Sequence, residues 1–592
     1  MERKGEVRGR TPEIPITKRD PLRSSKRVSS SSKEVSTSTA TVKSVNPLAE
    51  EFDLSASNSR SSGSIPGSFS SPPLLDGLRD SVHQILGQSA SPTPIQALSL
   101  KHLFSDTPEW RQYLLASETG SGKSIAYLLP MLHHLKKSEL APPKSISVEN
   151  PPQPRRAVNP RALVLAPTHE LSRQLSSFSK ALLHNIKLRV VCASRANVKS
   201  TPRTTFTASK MAAQFVDDAA GTLGMPPLGA SRPVDVLVGT PNKLLEMARG
   251  RKWDRTKDET DKELAAELSG SRHETSSRSL EPEMGLQNVE WVVVDEADIL
   301  FGTFKTFIFI MDELTVHTLD PDFQESTRAL LADIAAARGQ PVPYTPDLLP
   351  PSPETSSTST LAQNDPIIYP FNLILTTATI PPSLAAYLDA YHPTLTRLAS
   401  PRLHRLPSTM KTEYESWTGG NKDADIERRI RKVWAEDSIR PDFDGKRSKI
   451  LIFCNRGTKV QSLGSFLEGK RIPNVALTKD GSARNIGNNH HLDGFVQTNS
   501  SKTKPRSSSL GGDKEPHVMI TTSMLSRGLD FSPDVRHVFI VDEPRNMVDF
   551  LHRAGRSARA GQTGKVVVFG KLKGRGSAKA TEMKKKVGAL RK

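Results

Sequence analysis

The sequence predicts an α/β fold in which two lobes follow one another, each with a parallel β-sheet covered by helices. Short segments that are apolar throughout recur along the chain, and polar or amphipathic segments separate them. Strands without polar alternation are buried on both faces, which is typical of parallel sheets. Residues capable of chemistry directly follow these segments, at the carboxyl edge where open α/β sheets bind ligands.

The chain has 592 residues, which is too long for a single hydrophobic core. Hydrophobic residues make up only 36% and there are 44 prolines, so we expect long stretches to bury little surface. Changes in composition divide the sequence into four predicted segments. These are 1–68, a disordered segment; 69–401, the first lobe; 402–575, the second lobe; and 576–592, a basic tail.

Residues 1–68 are rich in Ser, Arg and Lys and have no apolar periodicity, which is typical of disorder. An Arg- and Ser-rich start is compatible with a mitochondrial targeting segment. Glu2, Glu6 and Glu13 weigh against that interpretation, because such segments are usually poor in acids. The chemistry of this segment therefore leaves both interpretations open.

The formal net charge of +19 favours a polyanionic partner such as nucleic acid. The alternative is that much of the excess charge lies in solvated tails. Cys192 and Cys454 are the two cysteines and lie far apart in apolar segments, so we expect buried thiols and neither a disulfide nor a zinc site. No apolar run reaches the length of about 18 residues that a membrane span needs, so we expect no membrane insertion.

The first lobe is predicted to begin with helices. Apolar residues at helical spacing over 74–86 predict an amphipathic helix, and Pro92 and Pro94 fit a loop and the start of a second helix. A strand is predicted before residue 117, and another helix follows Thr168. The remaining strands of this sheet are predicted at 162–166, 188–192, 236–238, 291–294 and 372–375.

A glycine-rich turn at 117–124 separates an apolar segment from a helix-like segment. Gly120 and Gly122 allow the backbone N–H groups to face phosphate oxygens, and the next helix adds its positive N-terminal end. Lys123 is then placed for the β- and γ-phosphates, and Ser124 for Mg²⁺. A glycine-containing turn before a surface helix is the alternative. This phosphate loop comprises Ser117, Glu118, Thr119, Gly120, Ser121, Gly122, Lys123 and Ser124.

Acidic and hydroxyl side chains follow two of the predicted strands. Asp295, Glu296 and Asp298 come directly after the apolar segment 291–294. Three carboxylates at one strand end repel one another unless a cation offsets them, which favours a metal site over a solvated strand end. Thr377 and Thr379 follow the apolar segment that ends at residue 375.

The second lobe is predicted to contain another parallel sheet without a phosphate loop of its own. Its apolar segments are 449–454, 518–522, 537–541 and 565–569. Arg527, Gly528 and Asp530 follow one segment, and the basic run 552–559 follows another. An exposed basic helix end is the alternative for this run, but a lobe with clustered arginines and no phosphate loop suits docking onto the first lobe.

The ordered set of motifs resembles that of the DEAD-box RNA helicases. In chain order the motifs are 92–96 (PTPIQ), 117–124 (SETGSGKS), 167–168 (PT), 240–241 (TP), 295–298 (DEAD), 377–379 (TAT), 527–530 (RGLD) and 552–559 (HRAGRSAR). The resemblance covers about residues 69–570. It implies two tandem RecA-like lobes, ATP and Mg²⁺ as cofactors, RNA as partner and a monomeric protein.

For the nucleotide, the resemblance implies contacts from both lobes. Gln96 would read the adenine edge, since its amide has a donor and an acceptor, and Phe69 would stack on the base. Asp530 would meet the ribose. Lys123 and the rest of the phosphate loop would hold the phosphates.

For hydrolysis, the resemblance implies that Asp295 holds Mg²⁺ together with Ser124 and that Glu296 orients or deprotonates the attacking water. Arg556 and Arg559 resemble arginine fingers that reach the γ-phosphate from the second lobe. The residues implied to couple the ATP state to RNA contact are Asp298, Thr377, Thr379 and His552.

RNA would lie across the carboxyl ends of both sheets, with backbone contacts that carry no sequence information. The implied RNA-binding residues are Pro167, Thr168, Thr240, Pro241, Arg527 and Gly528. His169 and Ser523 depart from the family pattern on this side, as does the pair Asn242-Lys243. An ATP-gated RNA-binding clamp or assembly scaffold with little unwinding is therefore the alternative to a helicase that locally unwinds or remodels RNA.

A narrower resemblance concerns the predicted junction of the lobes. Segments 404–407 (HRLP), 417–422 (WTGGNK) and 425–427 (DIE) are similar to those of fungal mitochondrial DEAD-box helicases. This implies a role in mitochondrial RNA metabolism and large-ribosomal-subunit assembly, with ribosomal RNA and ribosomal-assembly proteins as partners. It also implies a location in the mitochondrial matrix, with the nucleus or cytoplasm as alternatives.

Overall fold

A computed structural model gives the fold over most of both lobes. The described residues are 66–104, 109–140, 156, 158–194, 233–250, 282–301, 322–343, 366–439, 447–478, 489, 492, 494–496, 515–559, 562–571 and 577–590. The predicted segment 1–68, disordered or a possible mitochondrial targeting segment, lies outside them apart from residues 66–68. Among the helices in these ranges, none is both long and apolar enough to cross a bilayer.

The first lobe is organised around a sheet whose seven described strands all pair in parallel, in the order β3-β4-β2-β5-β6-β1-β7. The elements are, in chain order, α1 (Asp76–Leu86), α2 (Pro94–Leu103), β1 (Gln112–Ala116), α3 (Lys123–Leu140), β2 (Ala162–Leu165), α4 (His169–Leu182), β3 (Val190–Ala193), β4 (Val236–Gly239), α5 (Pro241–Arg249), β5 (Trp291–Val294), α6 (Ala297–Leu300), α7 (Asp322–Ala337), β6 (Asn372–Thr377), α8 (Pro382–Tyr391) and β7 (Thr396–Ala399).

The register of this sheet brings the ends of its central strands to one edge. Every residue of β1, β2, β4 and β5 is buried, as expected for strands covered on both faces. Val294 pairs with Leu165 on one side and Leu375 on the other. Asp295 and Thr376 therefore emerge side by side, although 81 positions separate them in the chain.

The second lobe repeats this architecture with a sheet of six described parallel strands, in the order β10-β11-β9-β12-β13-β8. The predicted α/β fold with two parallel-sheet lobes is thus confirmed. The elements are β8 (Met410–Ser416), α9 (Lys422–Ile439), β9 (Lys449–Cys454), α10 (Gly457–Gly469), β10 (Asn474–Ala476), β11 (Val518–Thr522), α11 (Ser523–Ser526), β12 (Val535–Ile540), α12 (Met547–Ala554), β13 (Gly564–Gly570) and α13 (Ala578–Ala589).

The C-terminal stretch expected to be a basic tail contains helix α13, which packs on the second lobe. Val587 and Leu590 are only 2% and 1% exposed. Lys584 Nζ lies 5.6 Å from the ring centre of Tyr414 in β8. Two buried apolar residues among many lysines are enough to dock the helix, and sequence composition alone obscures them. The described part of the tail, 577–590, is therefore part of the folded lobe.

Candidate active site

The phosphate loop connects β1 to α3 in the predicted place. Gly120 and Gly122 have φ values of +78° and +82°, in the left-handed region that glycine adopts without strain. Lys123 Nζ donates hydrogen bonds to the carbonyls of Ser117 (2.8 Å) and Glu118 (3.0 Å). Burial lowers the pKa of Lys123, although nearby carboxylates oppose that shift. The lysine thus folds back onto its own loop, at the start of α3.

Gln96 ties the start of α2 to the phosphate loop. Its Oε1 accepts the N–H of Thr93 (2.9 Å), and its Nε2 donates to the carbonyl of Gly122 (3.1 Å). A Cβ on Gly122 would overlap the Gln96 amide, so this close approach requires glycine as well. One N–H and one lone pair of the amide remain for a base. The adenine contact of Gln96 stays a prediction.

Phe69 lies in the core and not on an open surface. Its side chain is 1% exposed and belongs to the apolar cluster that includes Leu78, Leu100 and Tyr127. A base could stack on this ring only after the side chain moved. Its aromatic character is explained by packing, and the predicted stacking has no geometric support.

Asp295 accepts hydrogen bonds at both carboxylate oxygens. The N–H of Glu296 (3.0 Å) and the Thr376 hydroxyl donate to Oδ1, and the Tyr127 hydroxyl donates to Oδ2 (3.3 Å). Burial raises the pKa of Asp295 to about 6, and the Glu296 carboxylate adds to the shift. The Tyr127 hydroxyl also contacts Ser124, so one tyrosine joins the two residues predicted to hold Mg²⁺. A cation there would offset the two buried carboxylates, so these residues fit the ion.

Glu296 has an unusual backbone conformation, and its carboxylate oxygen Oε2 lies 4.0 Å from His552 Nδ1. Its φ of +55° lies in the left-handed region, and the residue immediately precedes α6. The side chain is 4% exposed, and among the described residues Oε2 has no hydrogen-bond partner. A buried carboxylate oxygen that is free to accept suits the predicted contact with an attacking water.

Asp298 is the centre of a buried network that joins the lobes. Its carboxylate accepts from Thr377 (3.3 Å) in the first lobe and from Arg527 (3.3 Å) in the second. His552 Nε2 lies 3.3 Å from the same carboxylate and 3.0 Å from the Thr379 hydroxyl. Although burial disfavours the charge, His552, Arg527 and Thr377 hold the pKa of Asp298 at about 2. The structure therefore brings together the four residues predicted to couple the ATP state to RNA contact.

One further arrangement near this network could be mistaken for a metal centre. Glu296, Asp298 and His552 each offer a ligand atom, and these atoms lie within 4.8 Å of one another. The charge of Asp298, however, is already offset by Arg527 at 3.3 Å. The geometry is thus that of an ion-pair network, separate from the pair Ser124 and Asp295.

The two predicted arginine fingers lie beside the phosphate loop with different partners. Arg556 is 2% exposed and donates to the carbonyls of His552 (3.1 Å) and Leu529 (3.0 Å). Its Nη2 has no partner among the described residues, and burial lowers the pKa of Arg556 to about 9. Arg559 forms an ion pair with Asp530. A Cβ on Gly120 would lie 3.5 Å from Arg559 Cγ, which places Arg559 against the loop.

The residues predicted on the RNA side mark the starts of two neighbouring helices. Thr168 caps α4 by accepting the N–H of Leu171 (3.3 Å), and Thr240 precedes α5, which begins at Pro241. Because β2 and β4 are adjacent, the positive ends of both helices lie at the same sheet edge. Pro167, Thr168, Thr240 and Pro241 are largely buried, so this edge offers mainly backbone groups.

The second-lobe residues predicted to contact RNA lie at the lobe interface. Arg527 donates to Asp298, as described above. Gly528 has a φ of +68°, and a Cβ there would overlap the side chain of Leu171 in α4. This turn therefore packs directly against the first lobe.

Further contacts join the lobes through residues to which the sequence analysis assigned no individual role, although one of them, His404, begins the junction segment 404–407. Gln174 exchanges hydrogen bonds with the backbone of Asp530, accepting from its N–H (2.8 Å) and donating to its carbonyl (3.1 Å). Asn489 donates to the carbonyl of Glu170 (3.1 Å). His404 accepts the N–H of Ile380 (3.1 Å). No periodicity or spacing signal distinguishes these residues in the sequence.

Comparisons with known proteins agree with this geometry. The sequence pattern of DEAD/DEAH box helicases matches residues 93–386, and that of the helicase conserved C-terminal domain matches residues 437–561. Among solved structures, Dbp5 of S. cerevisiae bound to RNA and ADP BeF3 has a TM-score of 0.51 at 17% identity, covering 88% of this chain and 94% of Dbp5. DEAD-box helicase Mss116 bound to ssRNA and UDP-BeF has a TM-score of 0.50 at 16% identity, covering 84% and 73% of the two chains. These structures share the fold.

Relatives of higher identity come from fungi. The mitochondrial ATP-dependent RNA helicase MRH4 of Cryptococcus neoformans var. neoformans serotype D (strain B-3501A) is 32% identical over 546 residues, covering 85% of this chain and 83% of the relative. The protein of the same name in strain JEC21 is also 32% identical, and the match spans 66% of its length. The corresponding protein of Phaeosphaeria nodorum is 25% identical, with 85% and 69% covered. With this identity, this coverage and this site, the chain belongs to the DEAD/DEAH box helicase family of ATP-hydrolysing enzymes.

Proposed function

We propose that the protein is a mitochondrial RNA helicase that hydrolyses ATP between its lobes to unwind or remodel RNA locally. The observation that carries the proposal is the contact between the Thr379 hydroxyl of the first lobe and His552 of the second, 3.0 Å apart. It lies beside Asp298 and Glu296, so the same residues join the lobes and border the hydrolytic site. ATP binding and lobe closure then depend on one another.

Each predicted catalytic residue has a role compatible with its surroundings. The γ-phosphate would attract Lys123 away from the loop carbonyls of Ser117 and Glu118. Glu296 would orient the attacking water or accept its proton through Oε2. Arg556 would stabilise the charge that develops on the phosphate through its free Nη2. Mg²⁺, when bound at Ser124 and Asp295, would neutralise phosphate oxygens.

RNA binding is supported by the sheet edge and by the fold. The starts of α4 and α5 present positive helix ends side by side, which suits phosphate groups. Such contacts position a strand without reading its sequence. The solved structures of Dbp5 and Mss116 with a similar fold contain bound RNA.

A mitochondrial location is supported by the names of the fungal relatives, which are mitochondrial helicases. A role in assembly of the large ribosomal subunit follows from the narrower sequence resemblance at the lobe junction. Fusing residues 1–68 to a fluorescent reporter tests the location. A diffuse cytosolic signal would contradict it. Crosslinking of the tagged protein to RNA, followed by sequencing, tests the ribosomal target, and crosslinks without enrichment of ribosomal RNA would contradict that part.

The decisive test of the function is ATP hydrolysis with and without single- and double-stranded RNA. We expect hydrolysis by the wild type to rise with RNA, and Glu296→Gln to remove it while nucleotide binding persists. Glu468→Gln is the matched control, because Glu468 is exposed on the second lobe. Equal rates for the wild type and Glu296→Gln would contradict the proposal.

An ATP-gated RNA clamp with little unwinding is the second candidate function, and the contacts of Ser523 are the observation that favours it. Its hydroxyl donates to Asp549 (2.7 Å) and accepts from Arg553 (2.8 Å), so this departure from the family pattern is used inside the second lobe. Strand-displacement assays separate the candidates. RNA-stimulated hydrolysis without displacement of a short duplex would favour the clamp.

A further inference from the structure

The linker between the lobes, residues 400–409, contains a histidine in a strained conformation. His404 has a backbone φ of +63°, in a region that residues other than glycine rarely adopt. The residue is nevertheless buried: His404 is only 8% exposed, and its neighbours Leu403 and Leu406 are buried as well. Such a conformation persists only where surrounding contacts hold it, and these contacts often belong to functional sites.

The contact that holds His404 reaches the segment 377–379. His404 Nε2 accepts the N–H of Ile380 (3.1 Å), the residue that follows Thr379. Burial, with a smaller contribution from His552, lowers the pKa of His404 to about 4, so the ring is neutral near pH 7 and keeps its acceptor lone pair. Thr379 in turn meets His552 at 3.0 Å. The linker contact and the contact that joins the lobes are therefore made by consecutive residues, Ile380 and Thr379.

The linker is also fixed from the second lobe. The N–H of Leu406 donates to the carbonyl of Leu590 (3.3 Å), at the end of α13. Leu406 and Leu590 are both buried. A small cavity of about 20 Å³, bordered by Thr119, Thr379, His404 and His552, adjoins this part of the linker. Hydrogen bonds at His404 and at Leu406 therefore hold the path of residues 404–406 from both lobes.

We propose that His404 is a positioning residue of the ATPase. Its hydrogen bond to the N–H of Ile380 holds segment 377–379 so that Thr379 meets His552 when the lobes close. The linker thereby takes part in closure and does more than tether the lobes. The proposal rests on the proposed function, because it takes the closed lobes as the state that hydrolyses ATP.

Substitutions at His404 test the role of the acceptor atom. We expect His404→Ala to raise the RNA concentration for half-maximal hydrolysis about three- to tenfold, the effect of one lost hydrogen bond. His404→Gln should restore it, because its amide oxygen reaches about the position of Nε2. Ser408→Ala is the control, since Ser408 is an exposed residue of the same linker. The melting temperatures of all variants should remain similar.

The result that would overturn the proposal is an equal loss in His404→Ala and His404→Gln, wild-type behaviour of His404→Ala, or a loss that tracks the melting temperature. A double-mutant cycle adds a second readout. If His404 acts through Thr379, His404→Ala should have little further effect in a Thr379→Ala background. Fully additive effects would contradict the proposed connection.

Energy transfer between dyes on exposed positions of the two lobes separates this proposal from the proposed function. If RNA does not stimulate hydrolysis by the wild type, the proposed function fails by itself. The closed fraction with a non-hydrolysable ATP analogue still reports on His404. We expect His404→Ala to lower it relative to the wild type, and equal closed fractions would overturn the positioning role.

Discussion

The hydroxyl of Thr119 in the phosphate loop donates a hydrogen bond to the backbone carbonyl of Gly555 at the end of α12, over 3.1 Å. The contact joins the loop that is predicted to hold the phosphates to the run that carries both predicted arginine fingers. A Cβ on Gly555 would overlap the Thr119 hydroxyl. The close approach of the two lobes here therefore requires a residue without a side chain, glycine, at position 555.

Gly555→Ala should impair closure of the lobes. Overlap of this kind typically costs about 1–3 kcal/mol, so we expect RNA-stimulated hydrolysis to fall by about tenfold or more. Binding of a fluorescent ATP analogue should persist, because Gln96 and the phosphate loop belong to the first lobe. Steady-state hydrolysis and nucleotide titration measure the two effects.

The control for this substitution is Gly588→Ala in α13. A Cβ at Gly588 has no atom within 4 Å, so the substitution meets no neighbour. Alanine in a helix is favoured over glycine by up to about 1 kcal/mol, and hydrolysis should be unchanged. Full activity of Gly555→Ala, or equal losses in both variants, would show that space at residue 555 does not limit closure.

Asp295→Asn should stabilise the nucleotide-free protein near neutral pH. The pKa of Asp295 is raised to about 6 in the folded protein, from an ordinary value of 3.8. The folded state therefore binds the proton more tightly, and its stability falls as pH rises from about 4 to about 6. The amide cannot ionise, so we expect a gain of about 1–3 kcal/mol at pH 7.5 that shrinks as pH falls below about 6. Urea unfolding at pH 5 and 7.5 measures it.

A control for this pH dependence is available in the same acidic motif. The pKa of Asp298 is held at about 2, so its stabilising contribution is present above about pH 4 and is lost only as pH falls towards 2. Asp298→Asn should therefore not gain stability at pH 7.5. A gain of similar size in both variants, or a pH-independent gain for Asp295→Asn, would contradict the assignment of the shift to Asp295.

Much of the active site could be predicted because its chemistry is local in the chain. The glycine-rich turn, the acids after β5 and the hydroxyls after β6 each show a strand end followed by a typical residue pattern. The parallel fold then brings these ends to one edge, as the pairing of Val294 with Leu165 and Leu375 illustrates. Sequence reasoning therefore placed Asp295 and Thr377 correctly at the carboxyl edge of the same sheet.

The contacts that hold the lobes together could not be predicted in the same way. Gln174 pairs with a residue 356 positions away and does so through that residue's backbone. Backbone partners leave no trace in side-chain chemistry. Phe69 shows a different difficulty. An aromatic residue near a nucleotide motif suggests stacking on a base, but an aromatic ring packed in the hydrophobic core has the same sequence signal. For α13, lysines dominate the composition and conceal two buried apolar residues.

Leu590→Ala should show that α13 belongs to the folded second lobe. Leu590 is 1% exposed, and truncation of a buried leucine costs about 2–5 kcal/mol. We expect a lower unfolding midpoint in urea for the whole protein. Lys585→Ala is the control, because Lys585 lies on the exposed face of the same helix. Equal stability of the two variants would indicate that α13 contributes nothing to the lobe.

Gln174→Ala should weaken lobe closure without affecting either lobe alone. Gln174 accepts the N–H of Asp530 at 2.8 Å and donates to its carbonyl at 3.1 Å, so two hydrogen bonds across the interface are lost. Each contributes about 0.5–1.5 kcal/mol, and we expect the closed fraction in an inter-lobe energy-transfer assay to need about five- to a hundredfold more RNA. The melting temperature should stay unchanged, because Gln174 is only half-buried on α4.

Asp530→Asn is the informative companion to this variant, since Gln174 contacts the backbone and not the carboxylate of Asp530. The substitution removes the ion pair with Arg559 but leaves the N–H and carbonyl that Gln174 binds. We therefore expect Asp530→Asn to alter nucleotide affinity and hydrolysis while the effect of Gln174→Ala on closure keeps its full size in that background. If Asp530→Asn abolished the effect of Gln174→Ala, the interface contact would depend on the carboxylate, contrary to the geometry.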